Sequence, residues 1–289
     1  MKKILLQLDA DSQPSVFDSV VAIDAGVDHL FRHHGMTPAK VASLVHGCIF
    51  TRGGDDLKNT AIFVGGSDVS AGEAVLKAVK KSFFGPLRVS VMMDANGCNT
   101  TAAAAVLAAA RHVELMDAKV AVLAGTGPVG QRVARLCLGQ GARVKLCSRQ
   151  LERAETAIKS FDAQLPISNI SAAQTGSMQD LESVLEDVQI VFAAGAAGVE
   201  LLSDELRKRL RGIQVAIDLN AVPPLGIGGL EVFDKAADRD GQICYGAIGV
   251  GGTKMKIHKA VLQKLFETDD AVFDAEQIFD VGLSIEKAL

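Results

Sequence analysis

The sequence has 289 residues, 48% of them hydrophobic, 22% charged and 4% aromatic, so it can bury a large aliphatic core, and its composition argues against disorder. The net charge of −4 gives no sign of a nucleic-acid-binding surface. No apolar stretch approaches the roughly 20 residues of a membrane span, and the short apolar run near the N-terminus lacks the features of a signal peptide.

The cysteines and histidines form no recognisable metal or disulfide pattern. The five cysteines are scattered without a C-x-x-C pair, which is typical of small core residues in a reducing compartment. The six histidines have no metal-ligand spacing, and His33-His34 beside Gly35 indicates a loop. We therefore expect a cytoplasmic protein with no metal site and neither a membrane nor a nucleic acid as partner.

The first part of the chain alternates between apolar strands and helices. Thr37 is the predicted N-cap of one helix, with Pro38 at its first position. Strands that are apolar throughout indicate a parallel sheet covered by helices. Strands are predicted at residues 3–9, 60–64 and 87–93, and helices at 15–25, 37–46, 67–83 and 100–112.

A second alternating series begins at Lys119. Its predicted strands are 119–124, 143–147, 189–194, 214–219 and, more weakly, 245–250; its helices are 129–140, 151–161, 178–186, 203–211, 254–266 and 275–289. We place the domain boundary near Arg111, giving an α/β domain over 1–111 and a second over 112–269. The C-terminal helix, about 270–289, is a candidate to return to the first domain.

A strand running into Gly125-Thr126-Gly127-Pro128-Val129-Gly130 carries the G-x-G-x-x-G pattern. By itself this pattern is weak, but here it follows an apolar strand, opens a helix and is followed by a second strand. That context predicts a Rossmann dinucleotide site. Gly125 permits the tight turn, Gly127 allows the backbone to approach a pyrophosphate, and Gly130 allows close helix–strand packing.

The end of the second strand favours NADP over NAD. An NAD site usually has an acidic residue there for the ribose 2′-hydroxyl, whereas this chain has Ser148 and Arg149. Arg149 can bind a 2′-phosphate through its guanidinium and stack on adenine. Arg153 lies four residues on, on the same helical face; its alternative role is as a surface partner of Glu152 or Glu155.

Two more strand ends should face the cofactor. Ala194-Gly195-Ala196 consists of small residues that suit close passage of a ribose, and Asn220 could bond the nicotinamide carboxamide or its ribose. Both segments have ordinary loop chemistry as their alternative interpretation.

Several further motifs span nearly the whole chain. They are Pro-Ser-Val-Phe-Asp (14–18), Thr-Arg-Gly-Gly (51–54), Thr-Ala-Ile-Phe-Val-Gly-Gly (60–66), Phe-Phe-Gly-Pro (83–86), Asn-Gly (96–97), Asn-Thr-Thr-Ala-Ala-Ala (99–104), residues 124–130, Asn220 with Pro-Pro-Leu-Gly-Ile-Gly-Gly (223–229), and Val-Phe-Asp-Ala-Glu (272–276). Those in the N-terminal half are the more specific because no generic fold requires them. Together the motifs resemble the NADP-dependent methylene-tetrahydromethanopterin and methylene-tetrahydrofolate dehydrogenases of one-carbon metabolism.

The resemblance implies oxidation of a methylene group to a methenyl group, with hydride passing to NADP⁺. It also implies an N-terminal pterin-binding α/β domain, a C-terminal Rossmann domain with a cleft between them, and a homo-oligomer. Some relatives use the methanopterin carrier and some also accept tetrahydrofolate.

Candidate substrate residues follow from position and resemblance. Asp18 lies in a matching motif and could bond the pterin, or it could be a carboxylate on a helix surface. Asp94, Asn96 and Asn99 follow a strand end, where α/β sites are built, and Thr100 joins them unless it and Thr101 cap the next helix instead. One further candidate follows from the resemblance to the family alone. Lys254 matches a lysine that the family has at its active site; a positive charge there would not help a cationic product, so we expect an anchor to a pterin oxygen or amide.

Two other functions stay open at this stage. A shikimate-dehydrogenase-like alcohol oxidoreductase would share two α/β domains and an arginine after the second strand, but it should need a Lys–Asp pair in its first domain. A non-catalytic NADP sensor would share the dinucleotide site. Cyclohydrolase activity is doubtful, because the bifunctional folate enzymes have a Tyr–Lys pair in the N-terminal domain and the only tyrosine here is Tyr245.

Overall fold

A computed structural model describes residues 1–162 and 164–288, which form two compact units. The first unit is Met1–Thr100 together with the chain from Met255 onward, and the second is Thr101–Lys254. Each unit has its own parallel sheet, which confirms the predicted two-domain α/β class.

The helices and strands are numbered here in chain order. The strands are β1 (Ile4–Asp9), β2 (His29–His33), β3 (Thr60–Gly65), β4 (Ser90–Met93), β5 (Lys119–Leu123), β6 (Arg143–Ser148), β7 (Ile170–Gln174), β8 (Ile190–Ala193), β9 (Val215–Asp218), β10 (Lys235–Arg239), β11 (Gln242–Tyr245) and β12 (Val272–Phe273). The helices are α1 (Val16–Asp24), α2 (Pro38–Phe50), α3 (Val69–Ser82), α4 (Cys98–Ala110), α5 (Pro128–Gly139), α6 (Leu151–Lys159), α7 (Met178–Leu185), α8 (Asp204–Arg209), α9 (Ala247–Lys264) and α10 (Ala275–Lys287).

The sheet of the first unit has the order β12-β4-β3-β1-β2, and all its pairings are parallel. β3 and β4 are buried along their whole length, which explains their apolar sequences. The C-terminal segment contributes β12 beside β4 and then α10. The carboxyl ends of β1, β3 and β4 therefore lie at one edge of this sheet.

The sheet of the second unit has the order β10-β11-β9-β8-β5-β6-β7. All pairings are parallel except that of β10 with β11. Taken from β7 to β11, this is the strand order of a Rossmann domain. The first strand of the unit along the chain, β5, lies in the middle, between β6 and β8. The order reverses at β5, so the carboxyl ends of β5, β6 and β8 mark the expected ligand crevice.

The unit limits fall elsewhere than the sequence placed them. Arg111 and residue 269 were the expected limits, whereas the structure divides the chain at Thr100–Thr101, inside α4, and at Lys254–Met255, inside α9. A limit inside a continuous helix has no turn or composition change to mark it.

Among the described residues five strands were not predicted, namely β2, β7, β10, β11 and β12. β2 and β10 are edge strands with several exposed residues, so neither has the apolar run that marks the buried strands. His33 lies at the end of β2 rather than in the predicted loop. β7 alternates only weakly and β12 is two residues long.

The predicted strand at 245–250 was wrong. β11 ends at Tyr245 and α9 begins at Ala247, seven residues before the predicted start of that helix. A β-carbon on Gly249 would overlap the carbonyl oxygen of Asp234, so a larger residue could not occupy this position at the start of α9. The apolar residues after Tyr245 instead begin α9, and Gly249 allows this helix to pass close to the Asp234 backbone.

Helix starts agree with the capping signals in part. Ser15 is the N-cap of α1, with its Oγ accepting from the Asp18 amide at 3.2 Å. Thr37 occupies the N-cap of α2 and Pro38 follows it, but the Thr37 side chain makes no capping bond. The predicted C-terminal helix is α10; its expected last residue, Leu289, lies outside the described residues. Within the described ranges, no helix is long and apolar enough to span a membrane.

Candidate functional site

The three glycines in the turn between β5 and α5 have different surroundings. A β-carbon on Gly130 would lie 2.6 Å from the α-carbon of Gly125, and one on Gly125 would lie 2.7 Å from the carbonyl oxygen of Val122. A β-carbon on Gly127 would meet only the Ala194 carbonyl oxygen, at 4.0 Å. Gly125 and Gly130 are thus required by packing, whereas the space beside Gly127 is open to a ligand.

The N-terminus of α5 has features that favour a nearby anion. Gly127 is its N-cap and Pro128 its first residue, and no side chain caps the helix. The amides of the first turn, that of Val129 among them, are therefore not consumed by a capping side chain, and the helix dipole favours negative charge there. Thr126 is half-buried beside them, and its carbonyl oxygen accepts from Gln131 Nε2 at 2.7 Å.

Ser148 and the two predicted arginines lie where β6 ends. Ser148 is buried, and its Oγ accepts from the Gln150 amide at 3.3 Å, which shapes the turn into α6. Arg149 and Arg153 are exposed, and within residues 1–162 and 164–288 neither guanidinium has a hydrogen bond or ion pair. Arg153 forms no bridge with Glu152 or Glu155, which was its alternative role.

A cleft of about 270 Å³ joins these groups, and we call it the Arg149 cleft. It brings together five of the predicted cofactor residues. These are Thr126, Ser148, Arg149, Arg153 and Ala196. The cleft has a further seven lining residues that were not among the predicted cofactor residues: Leu123, Ala124, Thr175, Gly176, Val199, Glu200 and Leu201. Thr175 and Gly176 follow β7, so the unpredicted strand explains why they were missed.

The loop after β8 contains the small residues predicted to approach the cofactor. Ala194 and Gly195 are half-buried, and Ala196 is exposed on the cleft. A β-carbon on Gly195 would lie 2.9 Å from a methyl carbon of Leu201. Packing against Leu201 therefore also requires a small residue at Gly195. Val199 and Leu201 form an apolar part of the cleft wall.

Asn220 has a structural role in the loop after β9. Its Oδ1 accepts from the Val222 amide at 2.9 Å, and its Nδ2 donates to the Pro224 carbonyl at 3.2 Å. The adjacent Asp218 is fully buried; burial raises its pKa, against the opposing effect of backbone amides that donate to it from Asn220 and Ile227. The contact of Asn220 with nicotinamide stays a prediction, for a side chain that already holds its own loop.

In the first unit, Asp18 lies at the carboxyl edge of the sheet. A β-carbon on Gly65, the last residue of β3, would be 3.6 Å from Asp18 Oδ2 and 3.5 Å from Asp9 Oδ2. Asp9 is buried and accepts from the amides of Asp11 and Ser15. The half-buried Asp18 thus shares this edge with a second carboxylate, which the sequence reasoning did not single out.

Asp94, Asn99 and Thr100 form a buried network at the start of α4. Asp94 Oδ1 accepts from the amides of Asn99 and Thr100 at 2.9 and 3.0 Å, and its Oδ2 accepts from Thr100 Oγ1 at 2.6 Å. Asn99 Nδ2 donates to the Met93 carbonyl and to Asp274. The helix start is therefore held by Asp94, where the alternative interpretation had expected a threonine cap.

Asn96 and Lys254 are the remaining candidates. Asn96 is exposed after β4 and takes a left-handed φ of 53°, which asparagine tolerates well. Lys254 is a half-buried residue of α9. As for every predicted site residue, the ligand contacts of these two stay predictions.

A family model described as methylene-tetrahydromethanopterin dehydrogenase, N-terminal, matches residues 16–96. The bifunctional protein MdtA of Methylorubrum extorquens is 47% identical over 283 residues, covering 97% of this chain and 98% of that protein. The chain belongs to the methylene-tetrahydromethanopterin dehydrogenase family. The resemblance drawn from the sequence motifs is thereby confirmed.

A second relative and two solved structures are also similar to this chain. The NAD(P)-dependent methylenetetrahydromethanopterin dehydrogenase of the same organism is 29% identical over 278 residues, covering 93% of each chain. The ligand-free 5-ketofructose reductase of Gluconobacter has a TM-score of 0.51 at 12% identity, covering 99% of each chain. The quinate dehydrogenase of Corynebacterium glutamicum, in complex with NAD, has a TM-score of 0.50 at 13% identity, covering 98% of this chain and all of that one. These two structures show the fold alone.

Proposed function

We propose that this protein is an NADP-dependent methylene-tetrahydromethanopterin dehydrogenase of one-carbon metabolism, which also accepts the tetrahydrofolate derivative. The observation that carries this proposal is the 47% identity to a curated relative over nearly the full length of both chains. A second family member is named for the same reaction class.

The second unit supports NADP as the cofactor. The uncapped start of α5 and the open space at Gly127 fit a pyrophosphate, and the Arg149 cleft fits an adenosine carrying a 2′-phosphate. Arg149 and Arg153 have no carboxylate to neutralise them, and Glu200 is the only acidic residue that lines the cleft among the described residues. The cleft therefore has an excess of positive charge that a phosphate would balance.

The reaction asks for positioning more than for proton transfer. NADP⁺ supplies, when bound, the acceptor for a hydride. The donor carbon of the substrate lies between two nitrogen atoms whose lone pairs stabilise the cation that hydride loss leaves behind, so no general base is needed. The protein must hold donor and acceptor within about 3–3.5 Å and accommodate the positive charge.

The substrate residues of this proposal divide by what the structure shows of each. Asp18 offers a half-buried carboxylate that suits a developing cation, and Asn96 offers an exposed amide. Asp94, Asn99 and Thr100 support the pterin side by fixing the strand end, since their polar atoms bond to one another. We assign Lys254 to a polar atom of the pterin as an anchor and not as a base.

We also propose that the protein works in the cytoplasm as a homo-oligomer. All five cysteines are free and buried, which fits a reducing compartment. Helix α1 exposes Val16, Val20 and Ile23, each more than half exposed and spaced to share one helical face. An apolar face of this kind supports an interface between copies.

The test is turnover by the purified protein. NADP⁺ is mixed with methylene-tetrahydromethanopterin and, separately, with methylene-tetrahydrofolate, while near-UV absorbance is followed and NAD⁺ serves as the control cofactor. We expect turnover with NADP⁺ and each of the two pterin substrates. Tight NADP⁺ binding without turnover of either pterin would reject the dehydrogenase and favour an alcohol oxidoreductase or an NADP sensor.

A further inference from the structure

The Arg149 cleft has a wall that no sequence motif marked, namely the loop between β7 and α7. β7 pairs with β6 in parallel, with Gln174 beside Ser148 in register. The next residue, Thr175, donates its amide to the Ser148 carbonyl at 2.9 Å. This continues the ladder one step past the strand and keeps Thr175 beside Arg149, where both line the cleft.

Gly176 sets how closely the two loops approach. A β-carbon on Gly176 would lie 2.9 Å from the carbonyl oxygen of Arg149, a distance that real β-carbons essentially never show. The obstacle is backbone, so a side chain at 176 would push the Arg149 segment away. The position of Arg149 therefore depends on a glycine in another loop.

The polar groups of this loop are divided between the helix and the cleft. Ser177 and Asp180 form a capping box at the start of α7, which satisfies both of them locally. In contrast, the half-buried Thr175 hydroxyl has no hydrogen-bond partner among the described residues. A hydroxyl without a partner, in a cleft with two unpaired guanidinium groups, is a donor placed for an oxyanion.

We propose that the β7–α7 loop forms part of the 2′-phosphate site, and this inference rests on the proposed use of NADP. In it, the Thr175 hydroxyl donates to the 2′-phosphate alongside Arg149 and Arg153. Gly176 is a positioning residue, which acts by allowing Arg149 its place. Together they make the discrimination between NADP⁺ and NAD⁺ depend on two loops.

Binding of NADP⁺ and NAD⁺ to the full-length protein, measured by calorimetry, tests this. Thr175→Val is expected to raise the Kd for NADP⁺ roughly tenfold, the effect of losing a hydrogen bond to a charged group, and to leave the Kd for NAD⁺ within about twofold. Thr175→Ser keeps a hydroxyl and should bind NADP⁺ nearly as the natural protein does. Gly176→Ala should weaken NADP⁺ selectively, whereas Gly139→Ala, at a helical glycine with open space around it, should change neither cofactor.

Three outcomes would overturn the proposal: unchanged NADP⁺ binding by Thr175→Val, equal weakening of both cofactors, or a natural protein that prefers NAD⁺. Melting curves show whether each variant folds. If Gly176→Ala does not fold, the two variants of Thr175 still test the proposal. Because these measurements need no pterin, they stand apart from the turnover test. A protein that binds NADP⁺ selectively through Thr175 but oxidises no pterin would refute the proposed function and sustain this inference.

Discussion

At the scale of single residues, the hydrogen-bond partners of a side chain indicate whether it can bind a ligand better than its chemical type does. Arg149 and Asn220 were both expected to touch the cofactor. The structure leaves the Arg149 guanidinium without a partner among the described residues, whereas the amide of Asn220 already bonds to two backbone groups of its own loop. An unsatisfied charge at the end of a Rossmann strand is the stronger indication of a ligand.

Arg149→Ser should lower kcat/KM for NADP⁺ by roughly ten- to a hundredfold, because it removes charge-assisted hydrogen bonds to the 2′-phosphate. The rate with NAD⁺ should change little. Arg143→Ser is the matched control, because Arg143 begins the same strand at its opposite end and pairs there only with the exposed Asp117 among the described residues. Steady-state kinetics with both cofactors measure this, and an equal loss with NAD⁺ would contradict the assigned role.

At the scale of elements, the β5–α5 turn separates two functions that one glycine pattern combines. Gly130 is held against Gly125 by close packing of helix and strand, while Gly127 faces open space at an uncapped helix start. The first is a requirement of the fold, and the second leaves room for the proposed ligand. The same division holds for α7, where a capping box satisfies the helix start and leaves nothing for an anion.

Gly127→Ala should leave the melting temperature nearly unchanged, since its φ of −76° suits alanine, and yet weaken NADP⁺ by placing a methyl group against the pyrophosphate. Gly130→Ala should destabilise the protein by about 1–3 kcal/mol, because a methyl group would overlap the Gly125 backbone. Thermal denaturation and cofactor titration of both variants distinguish the two roles. If both variants lost stability equally, the open space at Gly127 would have no functional meaning.

At the scale of the whole molecule, stability depends on charges that lie away from the cofactor. Asp187 joins two strands at the amino edge of the second sheet, with Lys119 Nζ at 2.8 Å and Lys145 Nζ at 2.7 Å. These hydrogen bonds lower the pKa of Asp187 to about 2 from an ordinary value of 3.8, and the one from Lys119 has the larger effect. The carboxylate is half exposed, so its contribution to the free energy of unfolding is limited to about 1 kcal/mol by solvent screening.

Because the folded pKa is the lower one, this stabilisation is complete above 3.8 and is lost as the pH falls toward about 2. Asp187→Asn should therefore be less stable than the natural protein at neutral pH, and the difference should shrink below 3.8. Denaturant unfolding across this pH range measures it, with Glu205→Gln, an exposed residue of α8, as control. A difference that stays constant with pH would exclude Asp187 as the titrating group.

The sequence alone determined the fold class, the dinucleotide turn and the family, and the 2′-phosphate at Ser148 and Arg149 stays a prediction. These depend on local signals: apolar strands, glycines at fixed spacing, and motifs contiguous along the chain. Tertiary structure alone decided what lies beside those signals. Thr175 and Gly176 reach Arg149 only because β7 pairs with β6, and Asn99 donates to Asp274 only because β12 pairs with β4. Strand pairing and side-chain satisfaction are long-range properties, so spacing along the chain does not encode them in a form that one sequence reveals.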